Sequence, residues 1–261
     1  MRLGVPPSPS VEVARARTAP LAAALAARGV AVELVFADSY DRLADLVLAG
    51  ELDAAWAPPI VCARVEAAGG VTVLRAVRGG STAYRAALVC RAGPVVDLAR
   101  HAELTAAWVD ENSAAGYLLA RSWLAGRHID AVRAFKRALF LGSYAAVLQA
   151  VVEGRADLTS MFASLPGAPA RTALDEVDVA LRARVQVFAY TAETQTDGVV
   201  LPPNPPPGAL ERLLQGVAAL TADPQGTSAL RELLGCEELR AVPVRPTSTA
   251  LQALVTLPGP R

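Results

Sequence analysis

Histidine, cysteine and lysine are scarce in this sequence, and many enzyme and metal sites depend on these residues. The 261 residues include only two histidines, His101 and His128, and the three cysteines, Cys62, Cys90 and Cys236, lack the spacing of metal ligands. The sequence has neither a glycine-rich phosphate loop followed by Lys-Ser/Thr nor a Gly-x-Ser-x-Gly nucleophile elbow. We therefore expect no metal site, no cofactor and no enzyme of these classes.

Net charge and long hydrophobic runs are missing as well. Arginine and lysine together number 25 and are balanced by 25 aspartates and glutamates, and Lys136 is the only lysine. A balanced surface predicts binding neither to nucleic acid nor to an acidic membrane, so any bound anion must be held by local geometry. No apolar run reaches the roughly 20 residues of a membrane-spanning helix, and we expect no transmembrane segment.

The sequence does have many hydrophobic residues, 53% of the total, and they recur in short segments that alternate with helix-favouring segments. This alternation is typical of α/β proteins in which mostly parallel sheets are flanked by helices. The length allows one large domain or two smaller ones. Strands are predicted at 2–5, 30–36, 52–56, 71–77, 84–91, 104–109, 135–141, 157–161, 185–190 and 198–201. Helices are predicted at 18–29, 39–50, 58–68, 113–125, 143–153, 172–183, 223–235 and near 247–255. A further helix is predicted to end near 220.

Three of the predicted strand-to-helix junctions carry the same kinds of polar residue. In a parallel sheet such junctions lie at the carboxyl ends of the strands, where ligands bind. We therefore expect these residues to converge on one ligand-binding cleft, although a routine helix cap is the alternative for each taken singly. The residues are Ser39, Tyr40, Asn112, Ser113, Ser143 and Tyr144.

The stretch 104–119 shows such a junction in most detail. Residues 104–109 form an apolar run that is typical of a buried strand, although periodicity alone also allows a helix. Ser113 is a favourable N-cap because its hydroxyl accepts a hydrogen bond from the first helical turn. The small residues Ala114, Ala115 and Gly116 would let a ligand approach the backbone, where free N–H groups and the helix dipole favour an anion.

Six segments of the chain, in this order, resemble a known family. They are Ala-Asp-Ser-Tyr-Asp-Arg-Leu at 37–43, Gly-Glu-Leu-Asp-Ala-Ala-Trp at 50–56, Tyr-Arg-Ala-Ala-Leu-Val at 84–89, Asn-Ser-Ala-Ala-Gly-Tyr at 112–117, Gly-Ser-Tyr at 142–144 and Thr-Asp-Gly-Val-Val at 196–200. The sequence resembles the phosphate/phosphite/phosphonate-binding proteins of ABC importers, which have the type II periplasmic binding protein fold. This implies two α/β domains, 1–86 plus 191–261 and 87–190, with a ligand cleft between them. Two hinge segments, near 84–89 and 188–191, would cross between these domains.

The resemblance also implies roles for individual residues. The family holds phosphonate oxygens with a Ser-Thr-Ser-Gly turn, and here Ser113 and Gly116 match the ends while Ala114 and Ala115 replace the two middle residues. Tyr40 and Tyr84 fall where the family has ligand-contacting tyrosines, and Tyr144 falls where many members have histidine. Asp197 falls where the family has an acid that can meet a ligand's amino group. Ser164 lies near the position of a second acid that some members have. Trp56 either lines the cleft or packs in the core.

Taken together, these features predict a solute-binding protein that delivers a small anionic ligand, a phosphonate-, phosphite- or phosphate-like oxyanion, to an ABC importer. The first residues contain no recognisable signal peptide. The protein would therefore be periplasmic if an export segment was removed, and cytoplasmic if Met1 is the true start. Two alternatives stay open: a cytoplasmic enzyme of the same fold acting on a small organic acid, as in menaquinone biosynthesis, with Glu111 as its candidate acid or base, or a ligand-sensing domain.

Overall fold

A computed structural model of the chain describes residues 1–7, 11–27, 29–165, 174, 179–222, 224, 227, 228, 231 and 234–241. These residues form two compact units. Unit one comprises Met1–Thr82 together with the described residues from Gln195 to 241, and unit two comprises Ala83–Thr194. Within the described residues, the chain therefore passes twice from one unit to the other.

Each unit contains one β-sheet. The strands, in chain order, are β1 (Arg2–Val5), β2 (Glu33–Phe36), β3 (Ala54–Ala57), β4 (Val71–Val77), β5 (Ala83–Arg91), β6 (Thr105–Trp108), β7 (Arg137–Phe140), β8 (Leu158–Ala163), β9 (Val185–Tyr190), β10 (Thr194–Gln195), β11 (Gly198–Leu201) and β12 (Glu238–Ala241). The helices are α1 (Val11–Ala26), α2 (Tyr40–Leu48), α3 (Pro59–Ala67), α4 (Leu119–Ala125), α5 (Tyr144–Val152), α6 (Val179–Arg182) and α7 (Ala209–Thr221). A 3₁₀ segment covers Leu98–Glu103, and a π-helical turn covers Ala114–Leu118.

Sheet one, in unit one, has the strand order β12-β4-β11-β3-β1-β2. Strand β1 pairs in parallel with β2 and β3, whereas β11 runs antiparallel to β3 and β4 and β12 runs antiparallel to β4. Strands β1, β2, β3 and β4 therefore all end at one edge, which we call the carboxyl edge of sheet one.

Sheet two, in unit two, has the strand order β10-β5-β8-β6-β7, and β9 pairs with β5. Strand β6 is parallel to β7 and β8, whereas β5 is antiparallel to β8 and β9. The carboxyl edge of sheet two is thus formed by the ends of β6, β7 and β8. The beginning of β5 and the end of β9 lie at the same edge.

Both sheets are mixed, which corrects the prediction of mostly parallel sheets. Within the described chain, β5 follows β4 through a turn, and β11 follows β9 without an intervening helix. Strand β5 arrives from β4 of sheet one, and β11 arrives from β9 and β10 of sheet two, so neither strand follows the crossover helix that joins parallel neighbours within one sheet. The predicted pattern of strands and helices did not reveal this, because it carries no information on strand direction.

Three helical starts agree with the sequence prediction, and one does not. Ser39, Ser113 and Ser143 each occupy the N-cap position of a helix, as predicted. Helix α1, however, begins at Val11 and contains Pro20 in its interior, although the sequence predicted a start at Thr18. Strand β12 was not predicted, because its four residues, Glu-Leu-Arg-Ala, do not form an apolar run. The helices predicted at 172–183 and 223–235 lie partly, and the one at 247–255 wholly, outside the described residues.

Each unit has its own hydrophobic core. In unit one, two clusters pack on the faces of sheet one, around Leu74 and Leu201 on one side and Leu43 and Leu52 on the other. In unit two, residues of α5 such as Val147 pack against sheet two. The three cysteines are free and buried, and desolvation raises the pKa of Cys62 and Cys236 to about 11, so neither thiol ionises readily.

Candidate functional site

The carboxyl edge of sheet two holds two serine-capped helix starts. The Ser113 hydroxyl, after β6, accepts a hydrogen bond from the N–H of Gly116 at 3.2 Å. The Ser143 hydroxyl, after β7, accepts one from the N–H of Ala146 at 3.2 Å. Because β6 and β7 are adjacent and parallel, the two helix starts lie side by side, and each brings the positive end of a helix dipole to this edge.

The helix that follows Ser113 opens with a π-helical turn. The N–H of Leu118 donates to the carbonyl of Ser113 at 2.9 Å, five residues back, and the N–H of Leu119 donates to the carbonyl of Ala114. This spacing leaves two carbonyls of the turn to outside partners: Ala115 accepts from the Ser160 hydroxyl, and Gly116 accepts from the N–H of Val109 at 3.2 Å. The turn is thereby bonded to both β8 and the end of β6. Single π-turns in helices often mark functional sites.

Gly116 allows this turn to lie close to the sheet. A Cβ atom at this position would stand 2.5 Å from a methyl carbon of Val109 and 2.6 Å from the Ser113 hydroxyl, so a larger residue would displace one of them. Ala115 is buried and Ala114 is partly exposed. The N–H groups of these two alanines open the helix and have no acceptor within it. Asn112 is exposed, and its N–H donates to the Asp110 carboxylate at 2.8 Å.

Aromatic residues and one arginine complete the carboxyl edge of sheet two. Tyr84, at the start of β5, is 8% exposed, and its ring centroid lies 5.3 Å from that of Phe162. Next to it, the guanidinium of Arg85 lies 3.6 Å from the ring centroid of Tyr190. The Nε–H of Arg85 also donates to the carbonyl of Ser164 at 3.2 Å. Sequence reasoning missed Arg85, because a lone arginine in a strand gives no signal that it stacks on a residue 105 positions away.

Two further tyrosines of unit two, the predicted contact Tyr144 and the unpredicted Tyr117, are partly or fully buried. Tyr144 opens α5 and packs partly against the unit-two core. Tyr117, which follows Gly116, is 1% exposed, and its hydroxyl has no hydrogen-bond partner among the described residues. Desolvation by burial raises the pKa of this hydroxyl. Tyr117 packs against Trp108 and Phe140 and so fills the space behind the π-turn.

In unit one, Ser39 and Tyr40 lie at the carboxyl edge of sheet one. The Ser39 hydroxyl caps α2 by accepting from the N–H of Arg42 at 3.0 Å, and the Tyr40 side chain packs partly against the neighbouring core cluster. Trp56 lies in the opposite core cluster, beside Leu3 and Val199, and lines a small apolar cavity there. Of the two predicted roles for Trp56, the structure shows the core-packing one.

Asp197 is already bound by an arginine of its own unit. One carboxylate oxygen lies 2.5 Å from a terminal nitrogen of Arg78. The same guanidinium donates to the carbonyls of Leu234 at 3.0 Å and Gly235 at 2.9 Å. The acid that was predicted to meet a ligand's amino group is therefore neutralised within the protein.

A cavity of about 430 Å³ opens at the opposite, amino edge of sheet two. Its charged lining residues include Arg91, Arg100 and Asp157. Arg100 pairs with Glu103, and the Asp157 carboxylate accepts from the N–H of Thr105 at 2.7 Å. The cavity is thus lined by both signs of charge and lies away from the serine-capped helix starts.

Comparison with known families assigns the chain. A family model described as "ABC transporter, phosphonate, periplasmic substrate-binding protein" matches residues 3–243. The chain belongs to this family. Its members are substrate-binding transport proteins, so the prediction that the chain is not an enzyme is confirmed, and the alternative of a menaquinone-type enzyme is set aside. No curated protein matches the sequence.

Solved structures similar to this phosphonate-family protein confirm its fold. The Xanthomonas citri protein XAC2383, bound to ATP, has a TM-score of 0.74 at 19% identity over 97% of this chain and 94% of that one. A binding protein component of an ABC phosphonate transporter from Pseudomonas aeruginosa gives 0.66 at 20% identity, covering 96% and 82%. PhnD1 from Prochlorococcus marinus, in complex with methylphosphonate, gives 0.65 at 15% identity, covering 93% and 92%. The predicted type II periplasmic binding protein fold is therefore correct.

Across the part of the chain that the structure describes, histidine, cysteine, aspartate and glutamate form no group able to hold a metal ion. Within the same described residues, every helix is too short or too polar to cross a membrane.

Proposed function

We propose that the chain binds a small phosphorus oxyanion, namely a phosphonate, phosphite or phosphate, and delivers it to the permease of an ABC importer. Membership of a periplasmic substrate-binding family supports this role and a periplasmic site of action. The methylphosphonate bound to PhnD1 is the ligand of that protein and serves here as the first compound to test.

The observation that carries the proposal is the turn at Ser113. The Ser113 hydroxyl accepts from Gly116 and keeps its own proton to donate to an anion. The N–H groups of Ala114 and Ala115 stand at a helix start, where unpaired donors and the dipole both favour negative charge. By this proposal Asn112 and Tyr84 flank the bound oxyanion, and Tyr40, Tyr144, Ser39 and Ser143 remain predicted contacts.

Alanine at positions 114 and 115 limits how tightly this turn alone can hold a phosphonate. A net hydrogen bond contributes about 0.5–1.5 kcal/mol, and more when its partner is charged, so two missing hydroxyls cost measurable affinity. We therefore propose backbone N–H groups as the principal donors of the turn, with compensation from a further group at the carboxyl edge of sheet two.

The test is a thermal-shift screen of the purified protein, followed by calorimetric titration of each ligand that shifts the unfolding temperature. The compounds are phosphate, phosphite, methylphosphonate, 2-aminoethylphosphonate, sulfate, ATP and an organic carboxylate. A ligand at about 100 times its dissociation constant adds about 2.7 kcal/mol of stability, which such a screen detects. We expect a shift with at least one phosphorus oxyanion and none with the carboxylate.

ATP is included because XAC2383 was solved with it. Binding of ATP together with inorganic phosphate would indicate recognition of a phosphoryl group. Binding of ATP alone would replace the small-oxyanion proposal by a nucleotide ligand, and a response to the carboxylate alone would contradict phosphorus recognition altogether.

A further inference from the structure

Arg85 is held in place by two contacts that leave its terminal nitrogens available. The ring of Tyr190 covers one face of the guanidinium at 3.6 Å, and the Nε–H donates to the carbonyl of Ser164. Arginine has five N–H donors in a planar fork, and this bond uses only the one on Nε. The described part of the chain offers Arg85 no carboxylate partner, and the residue is only partly exposed. The fork is thus pre-organised, and no described residue serves as its counter-ion.

The strand register places Arg85 at the carboxyl edge of sheet two. Arg85 lies opposite Ala163, the last residue of β8, because β5 and β8 are antiparallel. Its neighbour Tyr84 points to the opposite face of the sheet, as successive strand residues do. On the face of Arg85, residues such as Ala87 and Val89 pack with α5, whose serine-capped start lies at this edge.

A fixed positive charge at this edge would strengthen its binding of an anion. The loop before the π-turn carries Asp110 and Glu111, which are both exposed and repel a negatively charged ligand. The helix starts contribute only partial charges, each worth about 0.3–1 kcal/mol at an exposed site. A planar guanidinium fork matches two oxygens of a phosphonate or phosphate group and adds charge-assisted hydrogen bonds.

We propose that Arg85 is an anion-binding residue of the site: its guanidinium contacts the ligand's oxyanion at the carboxyl edge from the α5 face of the sheet, opposite the face on which the π-turn bonds Ser160, and so compensates for the hydroxyls absent at Ala114 and Ala115. This inference rests on the proposed function, because it names the group that recognises the same phosphorus oxyanion. Tyr190 and the carbonyl of Ser164 act as positioning groups, since they orient the fork without touching the ligand.

The chain provides a matched control for this proposal in Arg91. It lies on the same strand and, six residues on, on the same face, but at the amino edge of the sheet. Its guanidinium lies beside Gly154 and lines the cavity described above. Replacing either arginine by methionine removes the same charge from the same strand. The two variants therefore separate a local contact from a general change in charge.

The experiment titrates inorganic phosphate and methylphosphonate into the wild type, Arg85→Met and Arg91→Met by calorimetry. Loss of a hydrogen bond to a charged group costs enough to weaken binding about ten- to hundredfold, which we expect for Arg85→Met. Arg91→Met should change affinity by less than about twofold. Tyr190→Leu should cause an intermediate loss, because it keeps the charge but frees the fork, and it replaces Arg85→Met if that variant does not fold.

Each outcome gives a different answer. Equal affinities for wild type and Arg85→Met would overturn the role of Arg85 and leave the proposed function standing. Equal losses in both methionine variants would also overturn it, because the effect would be one of net charge. A loss confined to Arg91→Met would move the ligand to the cavity at the amino edge. A wild type that binds no phosphorus oxyanion would remove the proposed function and this inference with it.

Discussion

The carboxyl edges of the two sheets differ in how their arginines are paired. In unit one, Arg78 pairs with Asp197 and also bonds two backbone carbonyls, so both members of the pair are engaged within the protein. In unit two, Arg85 stacks on Tyr190 and has a single carbonyl partner among the described residues. Both edges carry serine-capped helices, but among the described residues only unit two adds a π-turn, at Ala114–Leu118.

This difference indicates what each edge can do for a ligand. A compensated ion pair binds an incoming anion poorly, because the anion must compete with the existing carboxylate. A cation without a carboxylate partner carries no such cost. We therefore expect the carboxyl edge of sheet two to supply charge-assisted contacts to an oxyanion more readily than the carboxyl edge of sheet one.

The largest expected effect concerns the buried ion pair that stabilises unit one. Arg75 lies 3.1 Å from Glu66, the two side chains are 3% and 6% exposed, and Arg75 also donates to the carbonyl of Thr196 at 2.8 Å. Arg75→Met removes the cation from beside a buried carboxylate, which typically costs about 3–5 kcal/mol. We expect urea denaturation to show this loss.

The exposed ion pairs of Arg64 serve as the control for that prediction. Arg64 bonds Asp41 and Asp45 at 2.7 and 2.8 Å, and the two aspartate side chains are 88% and 52% exposed. Arg64→Met should cost no more than about 1 kcal/mol, because solvent screens such pairs. Similar losses in the two variants would mean that burial does not make the Arg75 ion pair more stabilising than an exposed pair.

The next effect concerns the close packing of the π-turn in unit two. Gly116→Ala places a methyl group within 2.6 Å of the Ser113 hydroxyl and still closer to Val109. Overpacking of this kind costs about 1–3 kcal/mol, and ligand affinity should fall with it. Gly126→Ala is the control, because Gly126 has an ordinary helical φ of −62° and its nearest neighbouring atom would be 3.6 Å away. We expect thermal unfolding to separate the two alanine variants clearly.

The sequence predicted the parts of this molecule that depend on local chemistry. Serines 39, 113 and 143 cap helices because their hydroxyls accept from backbone N–H groups three residues on, and that preference is visible in the sequence. Strand direction was not predictable in this way, since the apolar runs of β5 and β11 look like those of the parallel strands β1 and β6. The contacts Arg78–Asp197 and Arg85–Tyr190 join residues more than 100 positions apart, so no local sequence pattern predicts them.

A smaller effect compares the N-caps of the two units. Ser113→Ala and Ser39→Ala each remove one capping bond, and each should cost about 1 kcal/mol of stability. Only Ser113→Ala should also weaken phosphate or methylphosphonate binding, by roughly tenfold, because its hydroxyl is the proposed donor of the oxyanion site. Calorimetric titration of both variants tests this, and equal affinity for the two alanine variants would remove Ser113 from the site.

The smallest effect is expected at Asp197, and it tests the comparison of the two units most directly. In the wild type, a ligand's amino group would have to displace Arg78 to reach the carboxylate, so 2-aminoethylphosphonate should bind no more than about threefold tighter than methylphosphonate, a difference of about 0.7 kcal/mol. Asp197→Asn should change the affinity for each compound by less than about threefold. A tenfold loss confined to 2-aminoethylphosphonate would show that Asp197 does meet an amino group. Unit one would then contribute charge to ligand recognition, and its carboxyl edge would not be neutralised in the way that the Arg78 pair indicates.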